Sequence, residues 1–223
     1  MIQNLVRSKY MRIDFEDLHL YTGMNHQALG TLLKDGFAKN TDYYNQADEI
    51  DEWFYKSSPY YIYDVMNTRD IGIYEIWYDY IKRRVDRKSS VYDYGAGVGT
   101  LEVLLLKRYP ASITVDEYNL LCLDFIHWRM HRRRFILAPP QKHYDYVISV
   151  DTIHRLPSDD MGPTINWLLS LGDRCFLHID GDTRHPFYNK VPFDIETYLG
   201  NRAKSVKNFH GLWDIEMDVM LDE

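Results

Sequence analysis

Two cysteines in 223 residues are too few for a disulfide framework. Cys122 and Cys175 fall inside runs that read as regular elements, so they are expected to be buried free thiols in a reducing compartment. No apolar run approaches the ~18–20 residues of a membrane span. The opening residues, Met1–Lys9, lack the apolar stretch of a secretory signal, and a cytoplasmic protein is expected. Positive charge is also scarce. Lys and Arg number 26 against 33 Asp and Glu, and the net charge of −7 disfavours a general nucleic-acid binder. There is no internal repeat and no low-complexity segment. What the chain has in plenty is tyrosine, 19 in all, within a hydrophobic fraction of 45% that is ample for a core.

The most informative stretch is 89–99, Ser-Ser-Val-Tyr-Asp-Tyr-Gly-Ala-Gly-Val-Gly. A β-branched and aromatic run, Val91–Tyr94, ends in glycines at alternate positions, and a helix-forming run, Thr100–Arg108, follows at once. Gly95, Gly97 and Gly99 let the backbone turn tightly and a ligand approach it closely. The spacing is G-x-G-x-G. The dinucleotide fingerprint needs glycine at 100, where Thr100 stands, which argues against a nucleotide-linked oxidoreductase. A second strand, Ser112–Val115, runs into Asp116-Glu117, where an acid can accept hydrogen bonds from a ribose diol. Leu120–Met130 and Ile165–Leu171 read as helices, Tyr144–Val150 and Cys175–Ile179 as strands, and Phe135–Leu137 as a candidate short strand between them. Glu196–Arg202 reads as a short helix. Ser205–His210 and Leu212–Met220 read as a hairpin turning at Gly211.

Residues 1–88 read as helical, in short amphipathic pieces: Phe15–Tyr21, His26–Lys34, Ala47–Tyr55, Tyr60–Val65 and the longer Ile71–Val85. The breaks are set by Gly23, Gly36, Asn40-Thr41 and Ser57-Ser58-Pro59. The segment Trp53–Tyr63 carries six aromatics and a proline ahead of the α/β region.

Three of these stretches, in this order and spacing, resemble motifs of the class I S-adenosylmethionine (SAM) methyltransferases. They are Asp93-Tyr-Gly-Ala-Gly-Val-Gly99, the acids Asp116-Glu117, and the run from Tyr144 to Asp151-Thr-Ile-His154. The stretch Glu117–Arg129, with Asp124-Phe125 and Trp128-Arg129, is similar to a subset of that family. The resemblance spans about residues 70–220. It implies an α/β, Rossmann-like doubly wound sheet over 89–223, preceded by a helical lid or substrate region at 1–88. It implies SAM as cofactor, S-adenosyl-L-homocysteine as product, and direct in-line methyl transfer to a small molecule or a modified peptide. A competing reading keeps the fold as a non-catalytic binding protein or partner subunit.

Carried over residue by residue, Asp93 would bond the donor's amino group, and Gly95, Ala96, Gly97 and Gly99 would border its amino-acid part. Asp116 or Glu117 would hold the ribose; alignment of the downstream Asp124-Phe125 and Trp128-Arg129 favours Glu117. Tyr118 and Asp151 complete the cofactor set. No adenine-binding acid is assigned. Asp151 and His154 follow a strand's carboxyl end, where ligands sit in open α/β sheets, and are the candidate catalytic residues. Histidine titrates near neutrality and can act as a base; His154 packing against its loop is the alternative. Tyr55, Tyr60, Tyr61 and Tyr63 are candidates for a lid over the acceptor, or else glue between regions. His178, Asp180, Asp182 and His185 cluster in sequence, and with Asp151 they suggest a divalent ion. Their spacing matches no tight ligand motif, so a solvated loop and no metal are expected. The run Arg129–Arg134 reads as a solvated helix end.

Overall fold

The computed structural model describes residues 9–46, 58–62, 66, 71–178, 198–199, 203–209 and 212–217. They fall into two compact units. The first takes the chain up to 79 with 97–104 and 117–136, and the second takes 80–96, 105–116 and the chain from 137. The units interleave along the chain.

The first unit is helical. It holds α1 (Lys9–Thr22), α2 (His26–Gln46), most of α3 (Ile71–Ile81) and α4 (Thr100–Leu105), and α5 (Leu120–Arg132). α1 stops at Gly23, in the left-handed region at φ 69°, whose N–H bonds His19 O at 3.0 Å. α2 starts where Asn25 Oδ1 accepts Ala28 N–H at 2.9 Å. It then runs straight through Gly36 and Asn40-Thr41, where the sequence reading broke it. A glycine inside a helix costs only about 1 kcal/mol, and burial of Leu29 and Leu33 on the same helix outweighs that.

α5 is capped by Asn119, whose Oδ1 accepts from Leu121 and Cys122 N–H, both at 3.1 Å. Its buried face carries Cys122, Phe125, Ile126, Arg129 and Met130, the spacing of one helical stripe. Arg129 on that stripe is fully buried. Its Nε donates to Asp17 Oδ2 at 2.9 Å, Nη2 to Asp14 Oδ1 at 2.6 Å, and Nη1 to Val98 O at 2.5 Å. Arg132 and Arg133 also reach Asp17, at 3.2 and 2.6 Å. The arginine run is therefore not the solvated helix end expected from sequence. Asp14 and Asp17, three residues apart on one face of α1, draw its first three arginines onto them.

The second unit is built on a six-stranded sheet: β1 (Ser90–Tyr94), β2 (Ser112–Asp116), β3 (Tyr144–Ser149), β4 (Gly172–His178), β5 (Ala203–Phe209) and β6 (Leu212–Met217). The strand order is β2-β1-β3-β4-β6-β5. β1 to β4 run parallel, and β6 runs antiparallel between β4 and β5. The terminal hairpin read from the sequence is thus β5 and β6. Helix α6 (Ser158–Ser170) begins about two turns earlier than its pattern suggested, passing through Gly162-Pro163. Its buried Met161, Ile165, Leu168 and Leu169 join Val147, Cys175 and Leu177 in one core. Burial pushes the Cys175 thiol well above its ordinary range. Arg174 grips Asp214 of β6 through two bonds of 2.6 and 2.8 Å, and Tyr80 OH donates to the same carboxylate at 2.7 Å. Burial raises the Asp214 carboxyl, but these bonds and the charge of Arg84 overcome it and hold the group below its usual range.

Phe135–Leu137 does not form a strand. Phe135 N–H turns back to Met130 O at 3.0 Å. The following Ala138 donates once to Ile113 O of β2, at 2.7 Å, and Pro139 O accepts from Thr114 Oγ1 at 3.2 Å. Pro139 and Pro140 have no N–H to continue a ladder. β2 is consequently the end strand of the described sheet. Both cysteines are buried and neither forms a disulfide, and no described helix is long and apolar enough to cross a membrane. Of the helix expected at Glu196–Arg202, only 198–199 lie within the described residues.

Candidate active site

The three glycines after β1 all lie in the left-handed region, at φ 76°, 61° and 71°, and they serve different ends. Gly95 N–H bonds Asp116 O at 2.8 Å and Ala96 N–H the same oxygen at 3.3 Å, which closes the turn onto the end of β2. A Cβ on Gly95 would stand 2.2 Å from Thr152 Oγ1, so this glycine makes room for the chain leaving β3. A Cβ on Gly99 would meet Ile126 at 2.9 Å, so the third glycine admits α5. Gly97 N–H donates to Glu117 Oε2 at 2.7 Å. Gly95→Ala should therefore lower stability by about 1–3 kcal/mol, combining the clash with a backbone geometry alanine resists. Thr152→Gly in the same chain should return part of the loss. Urea denaturation measures both, and an undiminished Gly95→Ala protein would refute the packing role.

The two acids at the end of β2 face different partners. Asp116 Oδ2 accepts from Tyr92 OH at 3.0 Å. Burial first, and the Asp116 charge second, push the Tyr92 phenol far above its ordinary value, so it stays a donor. Glu117 has one oxygen on Gly97 N–H and the other on Asn119 N–H, at 2.7 and 2.8 Å. Asn119 in turn donates from Nδ2 to Ser58 O at 3.2 Å. Tyr60 N–H bonds Ser58 Oγ at 3.3 Å, Lys39 Nζ reaches Tyr60 OH at 3.1 Å, and Tyr61 is buried.

Beyond β3, Asp151 takes the left-handed conformation at φ 61°, unusual for a residue with a side chain. His154, in the short 3-10 turn Ile153–Arg155, places Nε2 3.2 Å from Asp151 Oδ1. β3 pairs with β4 in a register that sets Ser149 opposite Leu177, which brings His178 to the same end of the sheet. The His154 and His178 rings meet edge-on, their centroids 5.4 Å apart.

No protein-family model and no curated protein matches this sequence. Among solved structures, magnesium protoporphyrin IX methyltransferase from Synechocystis PCC 6803, with bound SAH, is similar at a TM-score of 0.54. It shares 17% identity over 84% of this chain and 98% of that one. Mitomycin 7-O-methyltransferase is similar at a TM-score of 0.53, with 12% identity over 81% of this chain and 66% of that one.

The chain has the class I methyltransferase fold.

Within this fold the glycine loop follows β1, Asp116 ends β2 with Glu117 next to it, and Asp151 and His154 follow β3. Asp93 is buried on β1, between Val115 and Ile148 of its neighbours. Tyr118 is exposed. Asn119 and Thr152 were missed by the sequence reading. Asn119 had a signal, a capping residue ahead of an apolar run. Thr152 had none, because only the fold sets it against Gly95. Tyr55, Tyr63, Asp180, Asp182 and His185 lie outside the described residues.

Proposed function

We propose that this chain is a SAM-dependent methyltransferase acting on a small molecule or a modified peptide. The observation that carries the proposal is the setting of Glu117. Both carboxylate oxygens are fastened by backbone N–H groups, one from the middle glycine of the loop. A carboxylate has about four acceptor sites, so bonding to two amides is compatible with accepting vicinal hydroxyls as well. The glycine geometry suits a ligand that approaches the backbone closely.

When bound, SAM supplies a methyl group already activated on a sulfonium. The chain's work is then to bind, align and exclude water. Glu117 takes the ribose hydroxyls, Asp93 the amino group, and the backbone from Gly95 through Ala96 and Gly97 to Gly99 the amino-acid part, with Tyr118 beside them. Asp116, engaged by Tyr92, has the lesser part. Asp151 and His154 serve the acceptor, His154 as the group that can take a proton. Tyr60 and Tyr61 are the lid residues: they lie just beyond Ser58, whose carbonyl accepts from Asn119, two residues after Glu117.

Isothermal titration tests the reading. S-adenosylhomocysteine should bind the purified protein, and NAD should not; the opposite result would sink the proposal. A second reading, binding without turnover, draws on the lack, among the described residues, of a strand on the outer side of β2. The resembling family often carries a strand there, followed by an acid for the adenine amine. Transfer of labelled methyl from SAM to any acceptor in a panel of hydroxylated and amino compounds decides between the two.

A further inference from the structure

We propose that Asp151, His154 and His178 form a binding site for a divalent transition-metal ion. The fold assembles this set from two neighbouring strands' ends: one carboxylate oxygen and two imidazole nitrogens, all within 4.8 Å of one another. The spacing Asp151-x-x-His154, with His178 another 24 positions on, follows no compact ligand motif. Only the β3–β4 register closes it.

The geometry is near what an ion requires. Ligand atoms held at roughly 2.0–2.2 Å from a tetrahedral or octahedral centre stand about 3.0–3.5 Å from one another. The His154 Nε2 to Asp151 Oδ1 separation is already 3.2 Å. No separation in the set exceeds 4.8 Å, so closing onto an ion calls for side-chain movements of about 1–2 Å. Both rings are buried, at 1% and 5% exposure, while Asp151 is partly open to solvent. Two imidazoles and a carboxylate suit zinc, iron(II), cobalt(II) or manganese(II) better than calcium or magnesium, which prefer oxygen alone. Three protein ligands leave positions for an outside molecule, the arrangement of a catalytic rather than a structural ion.

A second observation points to the same place. Asp151 holds a left-handed backbone conformation that a side-chain-bearing residue seldom adopts. Such local strain is retained where a side chain must be aimed. Here it directs the carboxylate to His154. A histidine–aspartate ion pair alone would not call on His178.

The inference deepens the proposed function and, in its role though not in its binding, rests on it. An ion here would select an acceptor with an oxygen donor, a hydroxyl or carboxylate. His154 then acts as a ligand and not as the proton-accepting base.

Chelator-treated protein, with any affinity tag removed, is titrated with Co2+ and followed by visible absorption. Zn2+ competition is followed by calorimetry. One ion per chain is expected, with d–d bands of a nitrogen- and oxygen-ligated centre. His178→Gln and Asp151→Asn should each weaken binding roughly 100-fold, while His143→Gln, at an exposed ion pair with Asp173, should not. Thermal melting identifies any variant that fails to fold, and His178→Ala provides a second replacement at that position. Absence of saturable Co2+ binding in the wild-type protein overturns the proposal, as does binding indifferent to both His178 replacements. S-adenosylhomocysteine is titrated into the same samples. S-adenosylhomocysteine binding to a protein that takes up no Co2+ overturns the metal site alone, whereas Co2+ binding to a protein that takes up no S-adenosylhomocysteine overturns the methyltransferase reading alone.

Discussion

Glu117→Ala should weaken S-adenosylhomocysteine binding by roughly 30- to 800-fold, the equivalent of about 2–4 kcal/mol for two hydrogen bonds to a charged acceptor. The effect has two sources. The ribose loses its partner, and the Gly97 and Asn119 amides lose the carboxylate that fixes them. Glu117→Gln keeps one acceptor oxygen and should fall between wild type and alanine. Asp116→Ala should have the smaller effect on affinity, because its carboxylate is engaged by Tyr92. Calorimetry at matched temperature, with a melting curve for each variant, gives the ranking. A larger loss from Asp116→Ala would mean that the ribose acid has been assigned one residue too far along the chain.

Arg129→Met should destabilise the protein by about 3–5 kcal/mol, the usual penalty for removing one partner from a buried ion network. Asp14 and Asp17 are themselves buried, and their shared guanidinium is replaced by a thioether. Arg132 and Arg133 continue to serve Asp17, so Asp14 bears the greater part of the loss. Neutralising the carboxylates along with the arginine, as Asp14→Asn, Asp17→Asn and Arg129→Met together, should cost less than the sum of the single changes. Urea midpoints with unchanged slopes are the measurement. A loss under about 1 kcal/mol for Arg129→Met would remove the network from any central part in the fold. Arg129 also bonds Val98 O, inside the glycine loop, so a weakened network should be felt in ligand affinity too.

The elements nearest the cofactor motifs were legible in the sequence. β1, β2 and β3 each have β-branched or aromatic runs that end in glycine or acid, and local chemistry is enough to place them. The choice of Glu117 over Asp116 as the proposed ribose acid drew on residues further on, because two adjacent carboxylates look alike until their partners are known. What escaped was decided by contacts distant in sequence. Arg129 looked solvated because its counter-charges lie more than a hundred positions away, on α1. α2 passed through Gly36 because burial overrode local propensity. His178 acquired Asp151 and His154 as neighbours only through strand register. The expected strand at Phe135–Leu137 failed for a reason that was visible, the two prolines that follow it, but whose weight was underestimated.

Those prolines have a consequence for how this chain meets other chains. An end strand with a bare row of amides and carbonyls is an open invitation to a neighbour's strand, the first step toward aggregation. At Ile113 and Thr114 of β2 that row is met by Ala138-Pro139, attached by one backbone bond and one threonine hydroxyl. The covering segment shields the edge without offering a new one, since prolines cannot pass the ladder outward. A strand in its place would merely have moved the sticky edge one position further from the centre of the sheet.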